Sequence, residues 1–204
     1  MNSVDFSGTR KCPSKVVCIG RNYVAHISEL GNVKPDQMVI FFKPNAAISD
    51  DLHATHEEPL QYEGEISFGL VGGEFRYVGF GIDLTKRGLQ STLIEKSLPW
   101  ERCKSFKGSA VFSGFVPLEG KVDELEVELL IDGVRAQCGS VAEMINKPAD
   151  VLEEIKTFTD LEDYDIVMSG TPKGVGFVKA GSLYEGVIRK NGVELVRSSW
   201  RALT

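Results

Sequence analysis

Two glutamates separated by a single residue are the first groups in this chain that could carry chemistry. Glu63 and Glu65 lie in residues 61–68, where apolar and polar side chains alternate as they do along a β-strand. This alternation places both carboxylates on one face of the strand, about 6 to 7 Å apart. On an enclosed face their repulsion favours a bound cation, and carboxylate oxygens suit Mg²⁺, Mn²⁺ or Ca²⁺.

The same spacing is also typical of an ordinary solvated strand face, and periodicity alone favours that interpretation. Glu126 and Glu128 repeat the spacing just before a predicted hairpin turn, and we interpret this second pair as solvated. Spacing by itself therefore does not decide whether the first pair forms a metal site or a wet surface.

A histidine and a glutamate three residues apart form a second candidate. His26 and Glu29 lie in residues 23–30, a predicted helix with Asn22 as its N-cap. On one helix face the carboxylate could hold the imidazole and raise its basicity, which is the geometry of a water-activating pair. An exposed surface pair has the same geometry.

Several further polar residues are ordinary surface residues when each is considered alone. Asp83 precedes a predicted helix and could cap it, and Arg87 and Gln90 then project from one side of that helix. Lys104 follows in a later segment. Their local patterns do not say whether these side chains meet.

Composition disfavours several classes of function. A formal net charge of -6 leaves no basic face for nucleic acid. The chain has no apolar run long enough for a bilayer and no apolar start of the signal-peptide kind, so we expect a cytoplasmic protein without membrane contact. The glycine-rich turn at residues 169–176 lacks the ending of a phosphate-binding loop, which disfavours nucleotides. The HxxH pattern of His53 and His56 stays unassigned.

Short apolar runs dominate the chain and predict strands. Tight antiparallel hairpins are predicted where dipeptides that favour turns separate two such runs, at Gly72-Gly73, Asp132-Gly133 and Asn191-Gly192. Helices are predicted for residues 23–30, from about residue 85 onwards, and for residues 148–158. The pattern predicts an α+β protein that is mainly β, in one domain over residues 1–204.

Five groups of residues, in their order along the chain, resemble the fumarylacetoacetate hydrolase family, and especially its short single-domain acylpyruvase or fumarylpyruvate hydrolase-like branch. The resemblance covers residues 16–188. Its most specific marks are Gly20-Arg21-Asn22-Tyr23 followed by His26 and Glu29, then Phe42-Lys43-Pro44, Tyr62-Glu63-Gly64-Glu65, Asp83-Leu84-Thr85 with Arg87 and Gln90, and Gly170-Thr171-Pro172 with Gly174-Val175-Gly176.

The resemblance implies a mixed β-sandwich roll with a few short helices, usually assembled as a homodimer. It implies one divalent cation, Mg²⁺ or Mn²⁺ and in some members Ca²⁺, held by residues that match Glu63, Glu65 and Asp83. The implied substrate contacts are Arg21, Arg87, Gln90 and Thr171, and the implied catalytic residues are Lys104 and, on a mobile lid, His26 and Glu29.

The implied reaction is hydrolysis of a carbon–carbon bond in an acylpyruvate-type 2-oxo acid, which releases pyruvate. The same enolate forms when oxaloacetate loses CO₂ or a keto acid tautomerises, so an oxaloacetate decarboxylase or a 2-oxo-diene isomerase is the alternative within the family. Retention of both His26 and Glu29 favours hydrolysis, because decarboxylation needs no activated water. A non-catalytic dicarboxylate-binding module is the alternative from another class.

One departure from the family pattern bears on the pocket. The stretch between Glu65 and Asp83 is shorter than is usual in the family. We expect this difference to reshape either the pocket entrance or the contact between subunits.

Overall fold

The computed structural model describes residues 1–29 and 36–204, and for residues 26–28 it describes the backbone alone. The helices are α1 Val24–Glu29, α2 Arg87–Glu95, α3 Glu101–Lys104 and α4 Pro148–Lys156. The strands are β1 Val4–Phe6, β2 Thr9–Lys11, β3 Lys15–Gly20, β4 Val39–Pro44, β5 Ile48–Ser49, β6 Thr55–His56, β7 Glu58–Pro59, β8 Gln61–Tyr62, β9 Gly64–Val71, β10 Glu74–Asp83, β11 Ala110–Phe112, β12 Val116–Pro117, β13 Leu125–Ile131, β14 Val134–Ser140, β15 Ile166–Met168, β16 Gly176–Phe177, β17 Leu183–Lys190 and β18 Val193–Arg201.

Two sheets form the body of the protein. The larger has the strand order β4-β3-β15-β9-β10-β11-β5, with β12 also paired to β10, and the smaller has the order β14-β13-β17-β18. The β3–β15 and β5–β11 pairs are parallel, whereas β9 pairs antiparallel with both of its neighbours. The predicted fold, a mixed β roll with few helices, is confirmed.

Aliphatic and aromatic side chains between the two sheets form the main core. The rings of Phe80 on β10 and Trp200 on β18 lie 6.0 Å apart, and both side chains are buried. Gly186 on β17 lies so close to Phe80 that a Cβ atom there would be 2.2 Å from the ring. The close approach of the sheets therefore requires glycine at this position.

The three predicted hairpin turns are all present. Gly72-Gly73 joins β9 to β10, Asp132-Gly133 joins β13 to β14, and Asn191-Gly192 joins β17 to β18. Both residues of each turn have positive φ, which these residue types adopt at low cost. The first turn lies at the opposite end of β9 and β10 from Glu65 and Asp83, about 20 Å or more away along the strands. A shortening at this turn would lie far from the pocket entrance, and the effect of the shortened stretch stays a prediction.

The helices differ from their predicted bounds in ways that have local causes. Asn22 does not cap α1, because its side-chain amide instead bonds the backbone of Asn146 and the carbonyl of Ser169. Helix α4 ends two residues before the predicted residue 158, where Phe158 packs against Phe42. Residue 30, the predicted end of the first helix, lies outside the described residues. Helix α3 was not predicted, since its four residues carry no periodic pattern.

A buried carboxylate links the start of β3 to the start of β15. Asp165 accepts hydrogen bonds from the backbone N–H groups of Ser14, Lys15 and Glu162 and pairs with the Lys15 ammonium at 2.8 Å. Burial alone would raise the pKa of Asp165, but the Lys15 ammonium and these N–H donors outweigh it and hold the pKa below its usual range.

Replacing Asp165 with asparagine is expected to cost about 3 to 5 kcal/mol of stability at neutral pH, because the change leaves several donors and the Lys15 charge without an anionic partner. The carboxylate's contribution is complete above its unfolded pKa of about 3.9 and is lost as pH falls through the lower folded pKa. Melting temperatures measured from pH 7 down to pH 2 should therefore differ by a constant amount above about pH 5, and the difference should shrink below about pH 4. A constant difference over this range would contradict the assignment.

None of the helices within residues 1–29 and 36–204 is both long enough and apolar enough to cross a bilayer.

Candidate active site

The hairpin of β9 and β10 brings the three predicted metal ligands together. Glu65 lies opposite Gly81 in the ladder, and beyond it the N–H of Asp83 donates to the carbonyl of Glu63 at 2.8 Å. The three carboxylates then share one face, and each side chain offers an oxygen within 4.8 Å of those of the other two. All three residues are buried, with 6%, 2% and 1% of the surface of Glu63, Glu65 and Asp83 exposed.

These carboxylates fit a hard divalent cation. They supply only oxygen donors, which Mg²⁺, Mn²⁺ and Ca²⁺ prefer. Asp83 Oδ1 is buried without a hydrogen-bond partner, although the Lys43 ammonium lies 2.9 Å away as an ion pair. An oxygen with a free lone pair in a buried anionic cluster is a suitable ligand. Asp83 therefore does not cap α2 as its position suggested, and the N-cap residue of that helix is Lys86.

The surroundings of Glu65 disfavour its charged form. Burial, followed by the charges of Asp83 and Glu63, raises the pKa of Glu65 well above its usual range. The N–H of Gly170 opposes this effect by donating to Glu65 Oε2 at 2.7 Å. The raised pKa means that the ionised carboxylate needs a further positive charge to be stable here.

The ammonium of Lys104 lies between two of the carboxylates. Its Nζ donates to Glu63 Oε2 at 2.6 Å, to Asp83 Oδ2 at 2.7 Å and to Thr85 Oγ1 at 2.6 Å. Burial would lower the pKa of Lys104, but the charges of Asp83 and Glu63 outweigh burial and raise the pKa. Lys104 therefore stays protonated, and it serves as a fixed positive charge rather than as a base.

A second buried lysine contacts both Lys104 and one of the carboxylates. Lys43 has no exposed surface, and its Nζ donates to the backbone carbonyl of Lys104 and pairs with Asp83. The Phe42-Lys43-Pro44 segment, which matched the family pattern without an assigned role, thus places a cation beside one ligand. Lys43 was not among the predicted site residues.

Helix α2 contributes the predicted arginine and glutamine to the same cleft. Arg87 donates to Glu63 Oε1 and, at 2.5 Å, to Gln90 Oε1, and its Nε donates to Gln61 at 2.7 Å. Arg87 and Gln90 lie on one side of the helix as their spacing predicted. Arg21 also lines the cleft, with its guanidinium 5.9 Å from the ring of Trp100.

The glycine-rich loop after β15 completes the cleft. Thr171 lines it, and its hydroxyl donates to the carbonyl of Gly64 at 2.9 Å. The buried amide of Gln137 donates to Thr171 Oγ1 at 2.8 Å. Gln137 was not among the predicted site residues, because a single glutamine in strand β14, whose other residues are exposed or half-buried, carries no signal of burial.

The predicted histidine and glutamate pair is described only in part. Both lie on α1, but the side chain of His26 is outside the described residues, so a contact between the two stays a prediction. The carboxylate of Glu29 accepts from the N–H of Gly174, with its oxygens at 3.0 and 3.1 Å. Helix α1 is therefore joined to the same glycine-rich loop that contacts Glu65.

The second glutamate pair and the histidine pair noted in the sequence lie outside this cleft. Glu126 is exposed, as the solvated interpretation predicted, whereas Glu128 is half-buried and pairs with Arg189 at 2.5 Å. His53 and His56 line a separate cavity of about 550 Å³. Within the part of the chain that the structure describes, the cluster of Glu63, Glu65 and Asp83 is the one group of carboxylate, histidine and cysteine side chains close enough to share a metal ion.

The chain matches a known protein family and is similar to several known proteins. The family described as fumarylacetoacetate (FAA) hydrolase C-terminal matches residues 15–195. The chain is 33% identical over 192 residues to oxaloacetate tautomerase YcgM of Escherichia coli, covering 82% of this chain and 85% of that protein. It is 33% identical over 187 residues to the mitochondrial oxaloacetate decarboxylase of Dictyostelium discoideum, covering 83% and 86%. A solved structure of fumarylpyruvate hydrolase from Pseudomonas aeruginosa, in complex with Mn²⁺ and pyruvate, has a TM-score of 0.87 at 27% identity and covers 99% and 95% of the two chains.

Proposed function

This chain belongs to the fumarylacetoacetate hydrolase family, and from that membership we propose that it is a divalent-metal-dependent enzyme that interconverts the keto and enol forms of oxaloacetate. The names of the similar proteins support tautomerisation or decarboxylation of oxaloacetate better than the acylpyruvate hydrolysis that the sequence pattern favoured. The predicted homodimer also remains a proposal.

The charge balance of the cleft is the observation that supports a 2-oxo dicarboxylate as the substrate. Three cations, Lys43, Lys104 and Arg87, contact Glu63 and Asp83, and Glu65 is the third buried carboxylate of the same cluster. A divalent cation would leave this balanced cluster with two excess positive charges in a site of low dielectric. A 2-oxo dicarboxylate carries two negative charges and neutralises them, whereas pyruvate carries one.

Glu63, Glu65 and Asp83 would hold the cation, with Mn²⁺ or Mg²⁺ as the best candidates. When bound there, such a cation supplies a Lewis acid for the keto oxygen of a 2-oxo acid. Lys104 provides a fixed ammonium beside the negative charge that develops when a proton leaves C3 of the substrate. Arg87 and Gln90 would orient the substrate carboxylate, because their donors line the same cleft.

The group that accepts the proton from C3 of the substrate is best sought on helix α1. Lys104 is unsuited to accept it, because the neighbouring carboxylates keep it protonated. His26 is the candidate, since its α1 backbone lies in the helix that Glu29 joins to the glycine-rich loop. In the hydrolytic alternative the same imidazole would activate water.

Hydrolysis of a fumarylpyruvate-like acid is the second candidate. It is supported by the overall likeness to the fumarylpyruvate hydrolase structure that holds Mn²⁺ and pyruvate, and by the presence of both His26 and Glu29 in the chain. It also satisfies the charge argument, because fumarylpyruvate is a dicarboxylate.

A substrate panel separates these functions. We expect the Mn²⁺-loaded protein to accelerate the loss of enol absorbance from oxaloacetate, and EDTA to abolish that acceleration. Pyruvate formation, measured in the same samples, identifies decarboxylation if oxaloacetate is the source and hydrolysis if fumarylpyruvate or acetylpyruvate is the source. Tight binding of oxaloacetate without turnover of any of these acids, with either Mn²⁺ or Mg²⁺, would instead favour a non-catalytic dicarboxylate-binding module.

A further inference from the structure

Each of the two peptide units between two of the candidate metal ligands is hydrogen-bonded to a buried side chain. Gly64 separates Glu63 from Glu65, so the orientation of its backbone helps to set the spacing of the two carboxylates. Its N–H donates to Gln137 Oε1 at 2.9 Å, and its carbonyl accepts from Thr171 Oγ1 at 2.9 Å. A single side chain from the smaller sheet, Gln137 on β14, thus reaches into the metal-binding hairpin of the larger sheet.

Every polar group of the Gln137 amide has a partner. Its Nε2 donates to Thr171 Oγ1 at 2.8 Å and to the carbonyl of Pro172 at 2.9 Å, while its Oε1 accepts from Gly64. Exchanging the amide oxygen and nitrogen would set two donors against each other at Gly64 and two acceptors against each other at Pro172. The network therefore fixes one orientation of this buried amide.

That orientation determines what Thr171 can offer to the cleft. A hydroxyl has one proton and two lone pairs. The Thr171 proton is directed to a protein carbonyl, that of Gly64 at 2.9 Å or of Pro172 at 3.4 Å, and one lone pair accepts from Gln137. What remains for the cleft is a lone pair, which can accept a hydrogen bond from a substrate O–H group.

We infer that Gln137 is a positioning residue with two separable actions. Through its Oε1 it fixes the Gly64 peptide and thereby the spacing of Glu63 and Glu65, which sets metal affinity. Through its Nε2 it turns Thr171 into a hydrogen-bond acceptor, which suits the enol hydroxyl of the substrate better than a carbonyl or carboxylate oxygen. The second action rests on the proposed function, whereas the first concerns metal binding alone.

Three variants test these actions, with Mn²⁺ affinity measured by calorimetry on metal-stripped protein without substrate. Gln137→Met keeps the side-chain length but removes both actions, so we expect Mn²⁺ affinity to fall about 10-fold or more. Gln137→Glu keeps an acceptor for the Gly64 N–H but has no N–H for Thr171, so Mn²⁺ affinity should be no weaker than in wild type. Thr171→Val removes the hydroxyl that Gln137 orients.

Turnover of oxaloacetate supplies the second readout. We expect kcat to fall about 10- to 100-fold in both Gln137→Glu and Thr171→Val, and the double variant to be no slower than the slower single variant, because both changes remove one shared action. Losses in kcat that multiply in the double variant would overturn the action through Thr171. If the wild-type protein does not turn over oxaloacetate, the proposed function is wrong. The Mn²⁺ affinities would still show whether Gln137 acts on metal binding through Gly64.

A matched control separates positioning from general stability. Ser113→Ala also removes a buried group that bonds two backbone positions, since Ser113 Oγ accepts from the N–H of Phe80 and donates to the carbonyl of Gly114, both at 2.8 Å. We expect this variant to lower the melting temperature while leaving Mn²⁺ affinity and kcat unchanged. If Gln137→Met behaves in the same way, the positioning role is wrong. If Gln137→Met does not fold, Gln137→Glu and Thr171→Val still test the action through Thr171.

Discussion

Replacing Glu65 with glutamine is expected to weaken Mn²⁺ binding strongly and, at the same time, to stabilise the metal-free protein. The raised pKa of Glu65, caused first by burial and then by Asp83 and Glu63, means that its charge costs free energy when no cation is bound. Glutamine removes that charge, and its amide oxygen can still accept from the N–H of Gly170. Each ~1 kcal/mol gained would raise the melting temperature by about 2–4 °C.

Metal affinity should fall in the Glu65→Gln variant, although the stability of the metal-free protein rises. Loss of one of three anionic ligands is a larger change than loss of a group that only orients a ligand, which typically costs about 10- to 100-fold in metal affinity. We therefore expect Mn²⁺ affinity to fall by more than about 100-fold, as measured by calorimetry, with melting temperatures recorded in EDTA. Glu126→Gln is the control, because Glu126 has the same strand spacing but is exposed. A Glu65→Gln variant that binds Mn²⁺ as wild type does would refute the metal site.

Replacing Lys104 with methionine is expected to tighten Mn²⁺ binding while slowing oxaloacetate turnover by about 10²- to 10³-fold. In the metal-free protein the Lys104 ammonium donates to Glu63 and Asp83, so it competes with a cation for their oxygens. Methionine has similar length and no charge, and it frees those lone pairs. Turnover should fall because no fixed ammonium then lies beside the developing negative charge.

Opposite changes in affinity and rate distinguish this role from simple loss of structure, which would weaken both. Lys156→Met serves as the matched control, because Lys156 is exposed and pairs only with Glu153 among the described ion pairs. Steady-state kinetics at saturating Mn²⁺ and calorimetry without substrate give the two quantities. Weaker Mn²⁺ binding in Lys104→Met would show that the lysine supports the cluster rather than competing with the cation.

Much of the fold follows from local sequence rules. The three hairpin turns were predictable because each pairs residues that tolerate positive φ and separates two apolar runs. Helix α3 was not, because its four residues are too few to show a period. The bounds of α4 were predicted to within two residues, since an amphipathic pattern and an N-terminal proline mark it.

The site was predictable only where local pattern and family resemblance agreed. Spacing could not separate Glu63 and Glu65 from Glu126 and Glu128, because strand periodicity reports a shared face and not what covers it. Enclosure depends on long-range pairing, which brings Lys104 and Thr171 to the first pair but not to the second. From local sequence alone Asp83 resembles a helix cap, because the side chains that contact it are distant in sequence.

The compact turn at Gly72-Gly73 bears on how relatives of this chain should be compared. The two strands that it joins carry the candidate ligands at their opposite ends, so residues gained or lost at the turn alter the outline of the molecule and leave the carboxylate cluster untouched. The number of residues between the second and third ligands is therefore a poor guide to which reaction a given relative performs. Classification should rely instead on the side chains that face the cleft.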